Sequence, residues 1–296
     1  MIHKLPTRAL VCAATAFCFT ATTHAGTTGK EMKSVVEKVK ESCITGDLGV
    51  NVVSQYVTRG LVLENQGAIA QPYADLYFKL FSGDGFLNAI SLNLGVWSSL
   101  HDRHTDAIAG STTRGWYEFD FTAGLSFTFA KNFTLTPSYF SFLSPNDGFA
   151  TFQGLNVKLA ADTTDWFGFN LAPAVTVLFE LENKAGNGAD EGIYYEVSIA
   201  PSFPVGPLTV TVPVVAGFGS NDFYAGDEGF GYVSGGVTLS YALAFIPECY
   251  GKWTASAGYT FYYLGEALED FNTGPGRIRS SSDTEHVFSG SLGIAF

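Results

Sequence analysis

The chain has 296 residues, 46% hydrophobic and 15% aromatic but only 15% charged, with a formal net charge of −12. Soluble globular domains ordinarily carry about a quarter charged residues, and the acidic balance excludes nucleic acid as a natural partner. A mean hydropathy of +0.16 accompanies 33 Gly, 26 Phe and 14 Tyr, a mixture that suits strands with broad aromatic surfaces and many turns.

Residues 1–25 read as a secretory signal: Lys4 and Arg8 form the positive end, Ala9 to Ala21 the apolar core, and Thr23–Ala25 a small-residue cleavage site. Losing Lys4 and Arg8 makes the exported chain still more acidic. Residues 26–43 are mixed-charge, with Met32, Val35, Val36 and Val39 at helical spacing, and read as a periplasmic leader with a short helix. Beyond the signal, no run of about eighteen apolar residues supplies a membrane-spanning helix.

From Ile44 the hydrophobic period becomes two, and it persists over twelve segments: 44–59, 69–81, 89–100, 115–129, 133–143, 150–160, 167–182, 192–203, 208–219, 229–246, 252–264 and 284–296. In the first, Ile44, Leu48, Val50, Val52 and Tyr56 share one face, and Asp47, Asn51, Gln55 and Arg59 the other. The clearest is 115–129, where Tyr117, Phe119, Phe121, Leu125, Phe127 and Phe129 oppose Glu118, Asp120, Thr122, Ser126 and Thr128. Charges test the faces. Asp47, Arg59, Asp75, Lys79, Glu118, Asp120, Lys158, Glu180, Glu182, Glu196, Lys252 and Glu285 all fall on the polar parity, while His286 alone breaks the rule.

Connections alternate between long and short, from 19 residues (265–283) on one side to at most 7 (82–88) on the other. Twelve strands with this alternation predict an all-β, closed antiparallel transmembrane barrel over 44–296, sited in a bacterial outer membrane with both termini periplasmic. A secreted β-sandwich would have polar outward faces and no alternation in loop length. The last strand, Glu285 to Phe296, ends on an aromatic and resembles the signal read by the outer-membrane insertion machinery. Trp97, Trp116 and Tyr117 are expected near the outer interface, and Trp166, Phe167, Tyr250 and Trp253 near the inner one. Outer-membrane lipids and lipopolysaccharide would surround the wall.

Residues Tyr56, Arg59 and Gly60, followed by Gln71, Pro72 and Tyr73, resemble the start of a family of uncharacterised bacterial outer-membrane proteins. In these the first strand ends in Tyr-x-x-Arg-Gly and the second carries a polar residue, Pro or Gly, and an aromatic. The resemblance implies the porin-like architecture and no particular activity.

The polar parity supplies the candidate site. Asp47, Arg59, Asp75, Lys79, Glu118, Asp120, Lys158, Glu180 and Glu196 are expected to face the lumen and set its selectivity. Acidic groups outnumber basic ones there and in the outer loops. The favoured reading is therefore a narrow channel or transporter for small polar solutes that prefers cations or neutral molecules; Tyr73, Tyr77, Tyr194 and Tyr262 would suit a ring-bearing one. A structural or adhesive barrel is the alternative, and a lipid hydrolase a more distant one. For the hydrolase, His286 beside Thr284 and Ser280–Ser282 offers no Ser/His/acid spacing. His101, Asp102, His104 and Asp106 sit in a loop that enforces no metal geometry. The acidic, glycine-bearing stretches 187–192 and 221–229 are unlike an EF-hand. No cofactor is implied. Cys43 and Cys249, the only cysteines outside the signal, are expected to form a periplasmic disulfide.

Overall fold

The computed structural model describes residues 42–103, 115–225, 229–273 and 283–296, so the signal and nearly all of the leader lie outside the described residues. Among the described residues, sixteen strands and two short α-helices follow in chain order. They are β1 (Ile44–Val53), β2 (Tyr56–Thr58), β3 (Leu61–Glu64), β4 (Ile69–Ser82), β5 (Leu87–His101), β6 (Gly115–Phe129), β7 (Phe133–Leu143), β8 (Phe152–Ala161), α1 (Thr164–Phe167), β9 (Ala174–Glu182), β10 (Ile193–Ile199), β11 (Ser202–Val205), β12 (Leu208–Thr211), β13 (Val214–Gly219), β14 (Phe230–Ala242), β15 (Lys252–Leu264), α2 (Glu266–Thr273) and β16 (Thr284–Ala295).

These elements make twelve barrel staves. Proline explains the difference: it lacks the N–H that a ladder needs, and Pro201 and Pro213 split two staves into β10–β11 and β12–β13. The carbonyls still pair, with Pro201 O accepting from Val212 N and Pro213 O from Gly236 N, so the wall is continuous. Neighbouring staves are antiparallel throughout, and the sheet closes where β1 meets β16 over Asp47↔Ala295 to Val53↔Ser289. Gly46 and Phe296 complete the seam with reciprocal backbone hydrogen bonds of 3.0 Å. The twelve-strand closed barrel expected from the alternation is the observed fold.

The outer face of the wall is apolar. Val52 is 50% exposed, Leu80 58% and Phe288 60%, with Leu48, Phe121, Leu159, Val175, Val197 and Leu239 also open. A surface of this kind wrapped around a closed barrel has hydrocarbon as its natural solvent. Rings mark one rim. Phe86, Phe129, Phe133, Trp166, Phe167, Phe169 and Phe203 contact one another in sequence at centroid distances of 5.6 to 6.4 Å across four successive connections. Tyr250 stands exposed at the same short-turn end, and Trp253 donates to its carbonyl at 3.0 Å. This girdle gathers Trp166, Phe167, Tyr250 and Trp253 at the short-turn rim.

Two expectations change. At the long-loop end a β-bulge at Ser99/Leu100 shifts the β5–β6 register, so Trp116 stays outside while Tyr117 turns inward beside His101. Trp97 also faces the interior, against Tyr56. The disulfide is absent: Cys43 and Cys249 are exposed free thiols. Cys43 precedes β1, Cys249 precedes β15, and β16 lies between them. Two strand spacings of about 4.8 Å exceed the roughly 7 Å within which two Cα atoms can be bridged. Maleimide treatment of the folded, unreduced protein is therefore expected to modify both cysteines, read by peptide mass spectrometry; protection of both until reductant is added would contradict the fold at this seam.

Candidate functional site

The barrel interior is built from the polar parity, and its lower part is a hydroxyl lattice. Asn93 Nδ2 donates to Ser126 Oγ at 2.6 Å, and Ser126 Oγ meets Thr136 Oγ1 at 2.9 Å. Ser256 Oγ donates to Ser240 Oγ at 3.0 Å, and Ser202 and Thr211 pair at 2.8 Å. Short hydroxyls satisfy one another across strands, so this lumen stays polar.

The long-loop end is closed from within. After Val53 the chain leaves the wall: Ser54 and Gln55 hydrogen-bond the β16 backbone at Phe288 and His286, and β2 and β3 form a hairpin that enters the lumen. Its two-residue turn is Arg59–Gly60, with φ of +50° and +83°. A tight hairpin turn requires both residues in the left-handed region, which Gly accepts freely and Arg only under constraint. Crowding also selects Gly60, since a Cβ there would stand 2.4 Å from Leu268 Cδ1. The Tyr-x-x-Arg-Gly motif is thus the inward hairpin rather than the end of the first stave, and Tyr56 moves from the predicted outer face to the interior. Its hydroxyl donates to Glu118 Oε2 at 2.8 Å.

Three further segments lock the hairpin. From α2, Asn272 Oδ1 accepts from Val62 N at 3.0 Å and Nδ2 donates to Gly60 O at 3.2 Å. Tyr224 donates its hydroxyl to Arg59 O at 2.9 Å; burial holds this phenol well above its usual titration range, so it remains a donor. Leu61 packs with Leu178, Tyr194, Phe223, Tyr232 and Leu268 in one buried cluster drawn from five other segments. The loop 183–192 supports Phe223 from above. Glu180 organises that loop by accepting backbone N–H bonds from Ala185, Gly186 and Gly192, at 2.5, 3.0 and 2.6 Å. Glu180, expected to face the lumen, spends both carboxylate oxygens on three backbone donors and so anchors this loop.

Beneath the hairpin lies a cavity of about 630 Å³. Arg59, Asp75, Asp120, Lys158 and Glu196 all line it, Arg59 from the hairpin turn and the other four from the polar parity of the staves. The Arg59 guanidinium stands 5.1 Å over the Phe142 ring, a cation–π contact. Glu196 Oε2 accepts from Tyr194 at 2.9 Å, and Tyr194 and Tyr232 share a 2.9 Å hydroxyl contact. Gly95 makes room for Asp75, whose Oδ1 would be 2.3 Å from a Cβ there. Asp47 accepts from Tyr77 at 3.0 Å outside this cavity, nearer the short-turn end, where Lys79 is exposed. Glu118 is buried beside Tyr56.

The predicted histidine loop divides. His101 ends β5 and points inward, whereas Asp102 is exposed and accepts from Ala68 N at 2.7 Å. His104 and Asp106 lie outside the described residues. No group of three or more metal-ligating side chains gathers among the described residues. A different constellation does. Ser99 Oγ lies 2.8 Å from His101 Nε2, and His101 Nδ1 lies 3.8 Å from Glu64 Oε2. Nucleophile, base and acid follow in the order of a hydrolase triad. Yet Ser99 is 0% and His101 4% exposed, with Tyr117 stacked on the imidazole at 4.7 Å. A substrate carbonyl has no route to Ser99 in this conformation, and the cluster fastens the base of β3 to the wall. Sequence spacing hid it because Glu64 arrives from the hairpin. His286, the residue weighed for lipid hydrolysis, is outside and bonded through Nδ1 to Tyr259 at 2.8 Å.

No protein-family model matches the chain, and no curated protein matches it in sequence. Among solved structures, the COG4313 outer membrane channel from Pseudomonas putida F1 matches with a TM-score of 0.52 at 10% identity, over 90% of this chain and 100% of that one. The NanC porin gives a TM-score of 0.47 at 11% identity, over 83% of this chain and 98% of its own. Outer membrane phospholipase A from Escherichia coli gives 0.41 at 14%, over 84% and 89%. The likeness to the COG4313 channel is one of fold.

Two outcomes follow from the closed mouth. Asn272→Ala removes both hydrogen bonds between α2 and the hairpin and is expected to cost about 1–3 kcal/mol of docking. Limited proteolysis should then cut within 54–68 while the staves stay intact; wild-type resistance in that variant would mean that apolar packing alone holds the hairpin. A fluorophosphonate probe is expected to leave Ser99 unmodified in the folded protein, since the hydroxyl is sealed; labelling at Ser99 by mass spectrometry would establish an accessible nucleophile.

Proposed function

We propose that this protein is an outer-membrane barrel that acts as a narrow channel or transporter for small polar solutes, favouring cations and neutral molecules over anions. The observation that carries this reading is the cavity beneath the hairpin, lined by both charged and aromatic side chains and surrounded by a wall whose outer face is apolar. A barrel serving only as a scaffold has no need of such a space. In the proposed orientation both termini face the periplasm and the hairpin closes the outer mouth, so passage requires the hairpin to shift.

Electrostatics supports the choice of solute. Asp75, Asp120 and Glu196 line the cavity against Arg59 and Lys158, and exposed Asp190, Glu191 and Asp222 add negative charge at the mouth. Low-dielectric walls strengthen such a field. At about 0.15 M salt the screening length is roughly 8 Å, so the preference should fade as salt rises. One observation favours a structural barrel as the second reading: the mouth is packed like a protein core around Leu61, Phe223 and Leu268.

Planar-bilayer recordings test both. Wild type is expected to conduct in rare steps and Asn272→Ala more often, with reversal potentials in a KCl gradient favouring K⁺. Asp75→Asn should reduce that preference. Anion selectivity would refute the charge argument, and silence from both proteins would favour the structural barrel.

A further inference from the structure

The turn of the inward hairpin carries a residue that its backbone does not ask for. A two-residue turn with both residues left-handed favours Asn-Gly or Asp-Gly, because a short polar side chain tolerates positive φ. Arg59 nonetheless holds φ at +50°. The bonds that dock the turn use its main chain, with Arg59 O accepting from Tyr224 and Gly60 O from Asn272. Docking therefore leaves the arginine side chain unexplained, and a backbone outlier of this kind points to a task for the group it carries. That group is placed and then left open. The guanidinium stands over the Phe142 ring at 5.1 Å and donates once, from Nη1 to the adjacent Thr58 hydroxyl at 3.3 Å. Among the described residues no carboxylate forms an ion pair with it. None of its nitrogens is sealed from water without a partner, so its remaining N–H groups are reached from the cavity that Arg59 and Phe142 both line.

Glu196, on β10, is the counterpart. Its Oε2 accepts from Tyr194, which holds the carboxylate in place, while Oε1 has no partner and is likewise not sealed from water. Tyr232 and Tyr262, with ring centroids 5.7 Å apart, line the same cavity. A carboxylate among tyrosine faces suits an organic cation, which gains cation–π attraction as well as charge. The fields of Arg59 and Glu196 both reach the Tyr224 hydroxyl, so the two charges stand on one side of the space.

Opposite charges that share a small space ordinarily pair, and these two are held apart. A simple anion would satisfy Arg59 but meet Asp75, Asp120 and Glu196; a simple cation would satisfy Glu196 but meet Arg59 and Lys158. One ligand carrying both signs satisfies both groups. The planar guanidinium fork matches a carboxylate, and about 630 Å³ falls within the roughly 300–1,000 Å³ of small-molecule sites. We infer that the cavity beneath the hairpin binds a small zwitterion of zero net charge, an amino acid or a betaine. Its carboxylate lies on Arg59 and its cationic nitrogen at Glu196. The inference deepens the neutral-solute part of the transport reading and rests on that reading for its biological sense.

Isothermal titration of the refolded protein tests the site without any passage across a membrane, in a non-ionic detergent and a buffer free of zwitterions. Glycine betaine and 4-aminobutyrate are the probes, one with a short and one with a longer separation between its charges. Butyrate and tetramethylammonium supply each half alone. Saturable binding of at least one zwitterion is expected, with both halves at least 10-fold weaker. Arg59→Asn gives the turn its preferred residue and removes the guanidinium, so binding should fall 10-fold or more while 54–68 stays resistant to proteolysis. Glu196→Gln keeps an acceptor for Tyr194 and removes the charge, with the same loss expected. No saturable binding of either zwitterion, equal binding of one half, or binding unchanged in either variant would overturn the proposal. Conductance without zwitterion binding would remove the site and leave the channel standing. Binding without conductance would do the reverse.

Discussion

Everything in this molecule depends on closing the sheet. A backbone N–H or C=O left unpaired in hydrocarbon costs several kcal/mol, and an open sheet would present a whole row of them. Pairing β1 with β16 removes both edges at once, down to the reciprocal bonds between Gly46 and Phe296. Closure then dictates side-chain chemistry. One parity meets lipid and must be apolar; the other meets an enclosed space and is free to be polar. The proline breaks in β10–β11 and β12–β13 are tolerated because the proline carbonyls remain in the ladder.

An enclosed polar interior creates its own problem, since buried polar groups need partners. The lower lumen solves it with short hydroxyls that bond across strands, as in the Asn93–Ser126–Thr136 chain. The upper lumen solves it by importing chain. The β2–β3 hairpin brings Tyr56 to Glu118 and Arg59 into the cavity that Asp75, Asp120 and Glu196 also line, while Asn272 and Tyr224 satisfy the hairpin's own backbone. Carboxylates that look alike in sequence acquire different tasks by this route: Glu180 holds a loop through three N–H donors, and Asp120 lines the cavity.

The Ser99–His101–Glu64 cluster shows why constellation alone does not make chemistry. Nucleophilic catalysis needs the reacting oxygen within reach of a substrate as well as a base. With Ser99 sealed behind Tyr117 and the hairpin, the same atoms serve to pin β3 to β5. Access, which no spacing rule encodes, decides between the two roles.

Twelve staves, their order, their inner and outer faces and the aromatic rim at the short turns were legible in the sequence alone. The reason is that a two-residue period repeated over twelve segments reports directly which solvent each side chain meets. The charges lining the cavity, among them Asp75, Asp120, Lys158 and Glu196, were legible for the same reason. Tertiary structure alone decided where that period stops applying. Tyr56 and Tyr117 turn inward because a hairpin and a bulge interrupt the pleat, and Cys43 stays apart from Cys249 because an intervening strand sets their separation. Arg59 becomes the tip of an inward hairpin rather than the end of a stave. Those outcomes rest on contacts between residues as distant in sequence as Val62 and Asn272, and a local period carries no record of such contacts.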